Sequence, residues 1–514
     1  RKGEALAGGE WRTVVQRDAL DSPDARITLE ARGRVPTLGE YANSPQGIKT
    51  GDDGRFRRNW WEPPCFDRRW RPFQGTPEAD GFAGGMRYAL DWSDDGREFA
   101  RLQGTAAWGK RGVVVKLMGD FSFSLYHGEL FDSNVTAIVP GKDDLVEPVW
   151  AFCLSPTFRE ELSVLEDGIK VNNATVVKVP FNLAHWQEVA AKKYPDGLPE
   201  PESDDPTQWL FHGHPYEANE DAMLQVAVGR LLGYRWPAEL DDKMRLSKRA
   251  RALVKKCGEL AKFADGDGIV CIPPVGGEPS AADRLHNLLA KAFGVGWNKD
   301  KLNELLKRAD HGGKTLETWL RDKFFIQHCQ LFHHRPFIWH IWDGLRDGFS
   351  VLVNYHKLDH KNLETLIFTY LGDWIKRQKD DSASGMDGAQ ERLAAAERLK
   401  RQLELILKGE APYDIFVRWK PIEQQPIGWD PDLNDGVRLN IRPFMSATDM
   451  GKRGAGILRD KPNVNWNKDR GKDVESAPWY PLFKGDRIND YHVTLEEKLA
   501  ARAAKKESGK HARD

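Results

Sequence analysis

Apolar residues recur at helical spacing through the second half of the chain. Leu285, Leu288, Leu289 and Phe293 share one face of a 3.6-residue period. Ser280 precedes them with Asp283 three residues on, which predicts a helix start at that point. Leu316, Trp319, Leu320, Phe324 and Leu331 form a second stripe, and Leu363, Leu366, Ile367, Tyr370, Leu371 and Trp374 a third. Leu393, Leu399, Leu403, Ile406 and Leu407 form a fourth, on a long charged helix that Gly409 ends. Asp221 to Leu232 adds a short apolar helix. Such stripes are core faces in the first instance.

Upstream, from 44 to about 181, the pattern changes to short strands punctuated by Gly, Pro and Asp. Tyr88 to Trp92 reads as a strand closed by Asp94-Asp95-Gly96, and Val113 to Met118 as a buried strand. Phe121 to Tyr126 alternates rings and hydroxyls, which predicts one face of each. Val149 to Leu165 reads as helical, with a break at Pro156. Arg26 to Glu30 alternates like a short strand, and Val35 to Tyr41 reads as a short helix. Residues 195–207 form a Pro- and acid-rich linker. After 409 the regularity is lost, and the Ala/Lys/Glu-rich end from Leu495 predicts a frayed or solvent-exposed helix. The expected fold is α+β: a β-rich domain over 44–194, a mainly helical domain over 208–409 and an irregular C-terminal extension over 410–514, after a lead-in over 1–43.

Composition narrows the chemistry. The chain has 514 residues, 30% of them charged, and a formal net charge of −1. A nucleic-acid-binding face must therefore be local. The five cysteines are scattered with no Cys-x-x-Cys, which points to a reducing cytoplasm with neither disulfides nor a zinc knuckle. No signal peptide and no membrane-spanning apolar run is expected. The chain opens at Arg1, which hints at a fragment of something longer or a trimmed chain.

The richest stretch chemically is Ser44 to Glu62. Gly47, Gly51 and Gly54 break it into turns among Lys49, Arg55, Arg57, Arg58, Phe56, Trp60 and Trp61. Glycines admit close backbone approach, arginines suit phosphates and guanine edges, and rings stack on bases. The same residues also fit a surface turn leading into a tryptophan-anchored strand. Gly109-Lys110-Arg111-Gly112 fits a turn on a DNA backbone or a plain hairpin; the P-loop pattern is absent. His328, His333, His334, His340 and Cys329 have zinc-ligand identities, but surrounding aromatics at core spacing favour packing. Asp430-x-Asp432-x-Asn434 starts like a calcium loop, yet Gly436 comes one position late and Ile441 stands where a bidentate Glu is required.

The segment GIKTGDDGRFRRNWWE resembles the opening of the target-recognition region of large adenine-specific DNA methyltransferases, the single-chain bacterial enzymes of restriction-modification and of the BREX and DISARM phage-defence systems. Further likenesses follow in the same order. They are Trp70 to Gly75, Asp91 to Gly96, Phe121 to Asp132, the closing strand Val171 to Phe181, His333 to Trp339 with Phe349 to Leu358, and Asp430 to Phe444. The resemblance implies that 44–194 is a DNA-specificity domain and that 1–43 leads in from a missing catalytic domain. It implies double-stranded DNA as the partner, together with other phage-defence proteins, and no membrane. The expected DNA contacts are Lys49, Thr50, Gly51, Arg55, Phe56, Arg57, Trp60, Lys110 and Arg111; Gln74, Arg87, Ser122 and Ser124 lie in segments that depart from the family pattern, and they either read bases or, for Gln74 and Arg87, only shape a turn. Family members grip a flipped adenine with an Asn-Pro-Pro-Tyr-type tetrapeptide and hold S-adenosylmethionine on a Gly-rich loop. Here the Pro-Pro pairs are Glu62-Pro63-Pro64-Cys65 and Ile272-Pro273-Pro274-Val275, which lack the polar head and aromatic tail. The expectation is a chain with no catalytic, cofactor-binding or metal residue, whose parent enzyme uses S-adenosylmethionine through another domain. A non-catalytic DNA-specificity or scaffold subunit, and the recognition half of a fused restriction nuclease-methyltransferase, are the alternatives.

Overall fold

The computed structural model describes residues 13, 15–17, 35–166, 170–464 and 493–511. The expected strand at Arg26 to Glu30 lies outside them. The fold is α+β. The chain divides into two compact units: Arg1–Gly51 with Arg71–Pro201, and Asp52–Trp70 with Glu202–Asp514. The expected 44–194 domain therefore loses Asp52–Trp70 to the second unit, which also takes in both 208–409 and 410–514.

The first unit is built on an antiparallel sheet. Its strands are Ala42–Asn43, Val135–Pro140, Gly112–Lys116 and Phe123–Tyr126, in that order. Ala42 and Asn43 thus belong to this sheet rather than to a separate lead-in. Gly112–Lys116 is apolar up to Val115 because both of its faces are covered there. Val113 and Val115 join a core with Trp150, Phe152 and Phe158, while Val114 faces Tyr126, Phe131 and Ala137 on the other side. Each large apolar side chain buried there contributes about 1.5–3 kcal/mol. The helices Val146–Cys153 and Pro156–Leu165 meet at the expected break. Ser155 accepts from the N–H of Phe158, and Pro156 occupies the first helical turn, where its missing N–H costs nothing. The expected strand Val171 to Phe181 is instead interrupted by a short helix, Asn173–Val176, because the Asn172 side chain caps it through the N–H of Ala174.

The second unit holds the four apolar stripes. Ala281–Phe293 begins at Ser280, whose hydroxyl accepts from the N–H of Asp283. The second stripe divides into Leu316–Asp322 and Phe324–Leu331. The third runs through His360–Thr365, a π-helical turn at Leu366–Tyr370 and Leu371–Ala383. Ala389–Lys408 ends at Gly409 with φ 70°, a left-handed cap. Helices do not make up the whole unit. An antiparallel sheet of Ile338–Trp342, Ser350–Asn354 and Ile269–Cys271 runs through its core. Trp339, Tyr355, Trp429 and Phe444 cluster beside it. The terminal helix Leu495–His511 is not simply exposed. Lys498 is buried against Asp414 and donates to the carbonyl of Pro426 at 2.9 Å. No helix among the described residues is long and apolar enough to cross a membrane.

Candidate functional site

The insert Asp52–Trp70 is fixed in the second unit by polar bonds from large rings. The Trp60 indole donates to the Thr207 carbonyl at 2.6 Å, and that of Trp61 to the Arg335 carbonyl at 2.8 Å. Trp70 donates to the Asn434 side chain at 2.8 Å. The Glu62 carboxylate accepts from Asn59 and from the N–H of Val437 at 3.1 Å. Asp52 caps the short helix Asp53–Phe56 by accepting from the N–H of Arg55. Three segments distant in sequence thereby converge: the insert, the turn at 332–335 and the turn at 432–438.

Each turn has a local cause. Asp432 accepts from the N–H and side chain of Asn434, which starts the turn Leu433–Asp435. Gly436 follows at φ 88°, and a Cβ there would stand 2.7 Å from Arg58 and 2.9 Å from Glu62. The Lys420 ammonium bridges the acidic pair, at 2.8 Å from Asp432 and 2.5 Å from Asp435. Asn440 donates to the Tyr355 hydroxyl and the Asp432 carbonyl. At the other turn, His333 and His334 adopt φ 50° and 57°. The left-handed region is uncommon for residues other than glycine and costs of order 1 kcal/mol each. Hydrogen bonds from His334 to the Cys329 carbonyl and from Arg335 to the Phe332 carbonyl hold it. His333 stacks on Trp61.

These turns bring guanidinium groups together. Arg58 is buried and donates to the carbonyls of Gly54, Arg57 and Asn434, between the Trp70 and Trp419 rings. Arg418 binds the Asp52 carboxylate at 2.5 Å. Arg438 is pushed down to about 10, by burial first and then by the positive charges of Arg335, Arg58 and Arg418, with Glu62 opposing. Gly54 leaves room for this approach: its Cβ position lies 3.4 Å from Arg438 and 3.7 Å from Arg418. Arg57, just after the short helix Asp53–Phe56, pairs with Asp53 at 2.9 Å, and Arg55 covers Phe56. A cation whose own neighbours disfavour its charge is relieved by an anion, and guanidinium forks match phosphate oxygens.

The expected contacts fall apart into two sets. Lys49, Thr50 and Gly51 lie in the first unit, where Lys49 and Thr50 form a backbone ladder with Arg101 and Ala100. Lys49 is exposed and Thr50 buried. Lys110 and Arg111 sit on the turn before Gly112–Lys116, with Lys110 exposed. Arg55, Phe56, Arg57 and Trp60 belong to the second unit. Several expectations need correction. Phe56 and Trp60 are buried, so their rings have no face open to a base. Gln74 is fully buried and donates to the carbonyls of Gly84 and Leu125. Ser122 donates to the Pro77 carbonyl, and Ser124 accepts from the N–H of Gly84. These groups hold the 76–85 turn, and a base edge has no access to them. Arg87, just beyond that turn, pairs with Glu78 and stacks on Tyr88. Ser122 and Ser124 share this buried environment with the rings, so the expected hydroxyl face is internal.

Sequence reasoning missed Arg335, Arg418 and Arg438 as site residues. Arg335 and Arg438 stand inside the segments His333 to Trp339 and Asp430 to Phe444, so a signal was present; Arg418 carries none. The histidines go to separate tasks. His328 bonds the Gln225 side chain and the N–H of Ile338, and His340 bonds the Ser350 hydroxyl. The chain matches no known family profile. It also matches no curated protein.

Proposed function

We propose that this chain is the DNA-recognising portion of a site-specific adenine-N6 DNA methyltransferase that acts in phage defence in the cytoplasm. The observation that carries the reading is the arginine cluster. Apart from Arg418, it is assembled from three segments that resemble such enzymes, and its crowded charge suits duplex phosphates. Methyl transfer from S-adenosylmethionine belongs to a domain outside this chain, and partner proteins of the defence system act beside it. A non-catalytic specificity subunit is the second reading. It is favoured by the Glu62-Pro63-Pro64-Cys65 segment, where the Glu62 carboxylate is engaged by Asn59 and Val437.

Selection from a random duplex library tests the reading. The full chain, without cofactor, is expected to enrich a short sequence motif over successive rounds. A pool that stays random, or retention of single strands in preference to duplex, would count against DNA recognition.

A further inference from the structure

The helix Lys248–Leu260 is amphipathic in an uncommon way. Ala250, Leu253, Cys257 and Leu260 are buried and fix its orientation. On the opposite side Lys248, Lys255, Lys256 and, just beyond its end, Lys262 are exposed. Lys248, Lys255 and Lys262 recur every seven residues, so they line one strip about 20 Å long at 1.5 Å per residue. Among the described residues, Lys248, Lys255 and Lys256 make no hydrogen bond and no ion pair. Nearby carboxylates are engaged elsewhere: Glu217 and Glu202 by Arg249, and Glu259 by Lys291 at 2.5 Å.

Two features run against helix stability. The first turn carries Lys248 and Arg249 with no acidic residue, although a helix N-terminus favours negative charge. Gly258 sits within the helix, has no atom within 4 Å of its Cβ position and costs about 1 kcal/mol against alanine. The helix is also tied to the arginine-bearing insert by a short chain of bonds. Trp60 binds Thr207, the preceding Pro206 carbonyl binds Trp236, and Trp236 opens the helix Pro237–Leu240, whose Ala238 carbonyl accepts from Arg251.

We propose that the Lys248–Lys262 strip is a second, sequence-independent contact to the phosphate backbone of the DNA duplex. This rests on the DNA-recognition reading above. The lysines contribute charge and length of footprint; they do not read bases.

The test uses the full chain and a mixed-sequence duplex, with affinity measured by fluorescence anisotropy over a range of salt. The variant is K248Q/K255Q/K256Q/K262Q. The slope of log K against log salt is expected to shrink by about 3–4, near 0.9 per lost phosphate contact. Arginine at the same four positions should restore it, and the unfolding temperature should not fall. If the parent binds with an unchanged slope in the glutamine variant, the strip is only a solvated face and the inference is overturned while the reading stands. Lysine-dependent binding to vesicles of anionic lipid, with an unchanged DNA slope, also overturns it. A parent chain that binds no duplex removes both the inference and the reading.

Discussion

Acidification to about pH 4.5 is expected to unfold the unit formed by 52–70 and 202–514. Burial lowers His212, His214 and His356 to about 4, and His328 and His340 to about 3. All five lie in this unit. An unfolded histidine titrates near 6.5. Between that value and the folded one, the unfolded chain binds more protons. The stability these rings contribute is therefore complete above about pH 6.5 and is lost as the pH falls toward 4 and 3. Each loses about 1.4 kcal/mol per pH unit across its window. Three carboxyls act in the opposite sense, one of them Asp435, which burial raises. Burial raises Asp343 to about 6, and burial with the Asp265 charge raises Asp267 to about 6, so folding gains from their protonation. Five losses against three gains leave a net fall of about 3 kcal/mol per pH unit between roughly pH 6 and 4. Over two units that approaches the whole stability of an ordinary domain. Denaturant titrations followed by tryptophan fluorescence, repeated at each pH, measure it. A stability that stays flat from pH 7 to 5 would contradict the burial of these rings as neutral groups.

Arg438→Met is expected to stabilise the protein and weaken DNA binding together. Methionine keeps the apolar stem and removes a charge that burial and three neighbouring arginines disfavour more than Glu62 favours it. The gain should be about 1–3 kcal/mol near neutral pH, since a shift of one unit is worth 1.36 kcal/mol and nearby groups relax. The affinity for duplex should drop about tenfold or more at moderate salt through the lost phosphate contact. Opposite signs distinguish a binding residue from a structural one. A purely structural arginine would give lower stability, with DNA binding reduced only through misfolding. Chemical denaturation and anisotropy on the same preparation decide between them, and Arg438→Lys should restore most of the binding.

The sequence made local features legible and distant ones not. Ser280, Pro156 and Gly409 act within a few residues of themselves, so the helix ends they set could be read directly. The Val171 to Phe181 run misled because its β-branched residues suit a strand, while Asn172 supplies a helix cap that overrides them. The sheet of Ile269–Cys271, Ile338–Trp342 and Ser350–Asn354 pairs segments far apart in sequence, and helical stripes on either side hid it. The site followed the same rule. Ser44 to Glu62 was visible as a motif, but nothing local reveals that the chain changes units between Gly51 and Asp52. Nor does anything local show that Trp61 and Trp70 seat the insert against Arg335 and Asn434. Gln74, Ser122 and Ser124 looked like base readers because side-chain chemistry is legible and burial is not. Arg418 lies in an aperiodic stretch, and its carboxylate partner Asp52 is distant in sequence.

Photocrosslinking tests the central claim most directly. A duplex carrying photoreactive groups on its backbone is irradiated with the full chain, and the adducts are mapped by mass spectrometry. Duplex recognition through the arginine cluster predicts adducts on peptides that contain Arg55 to Arg58, Arg335 and Arg418 to Arg438. Adducts confined to peptides of the 71–201 segment, with none at those arginines, would contradict it.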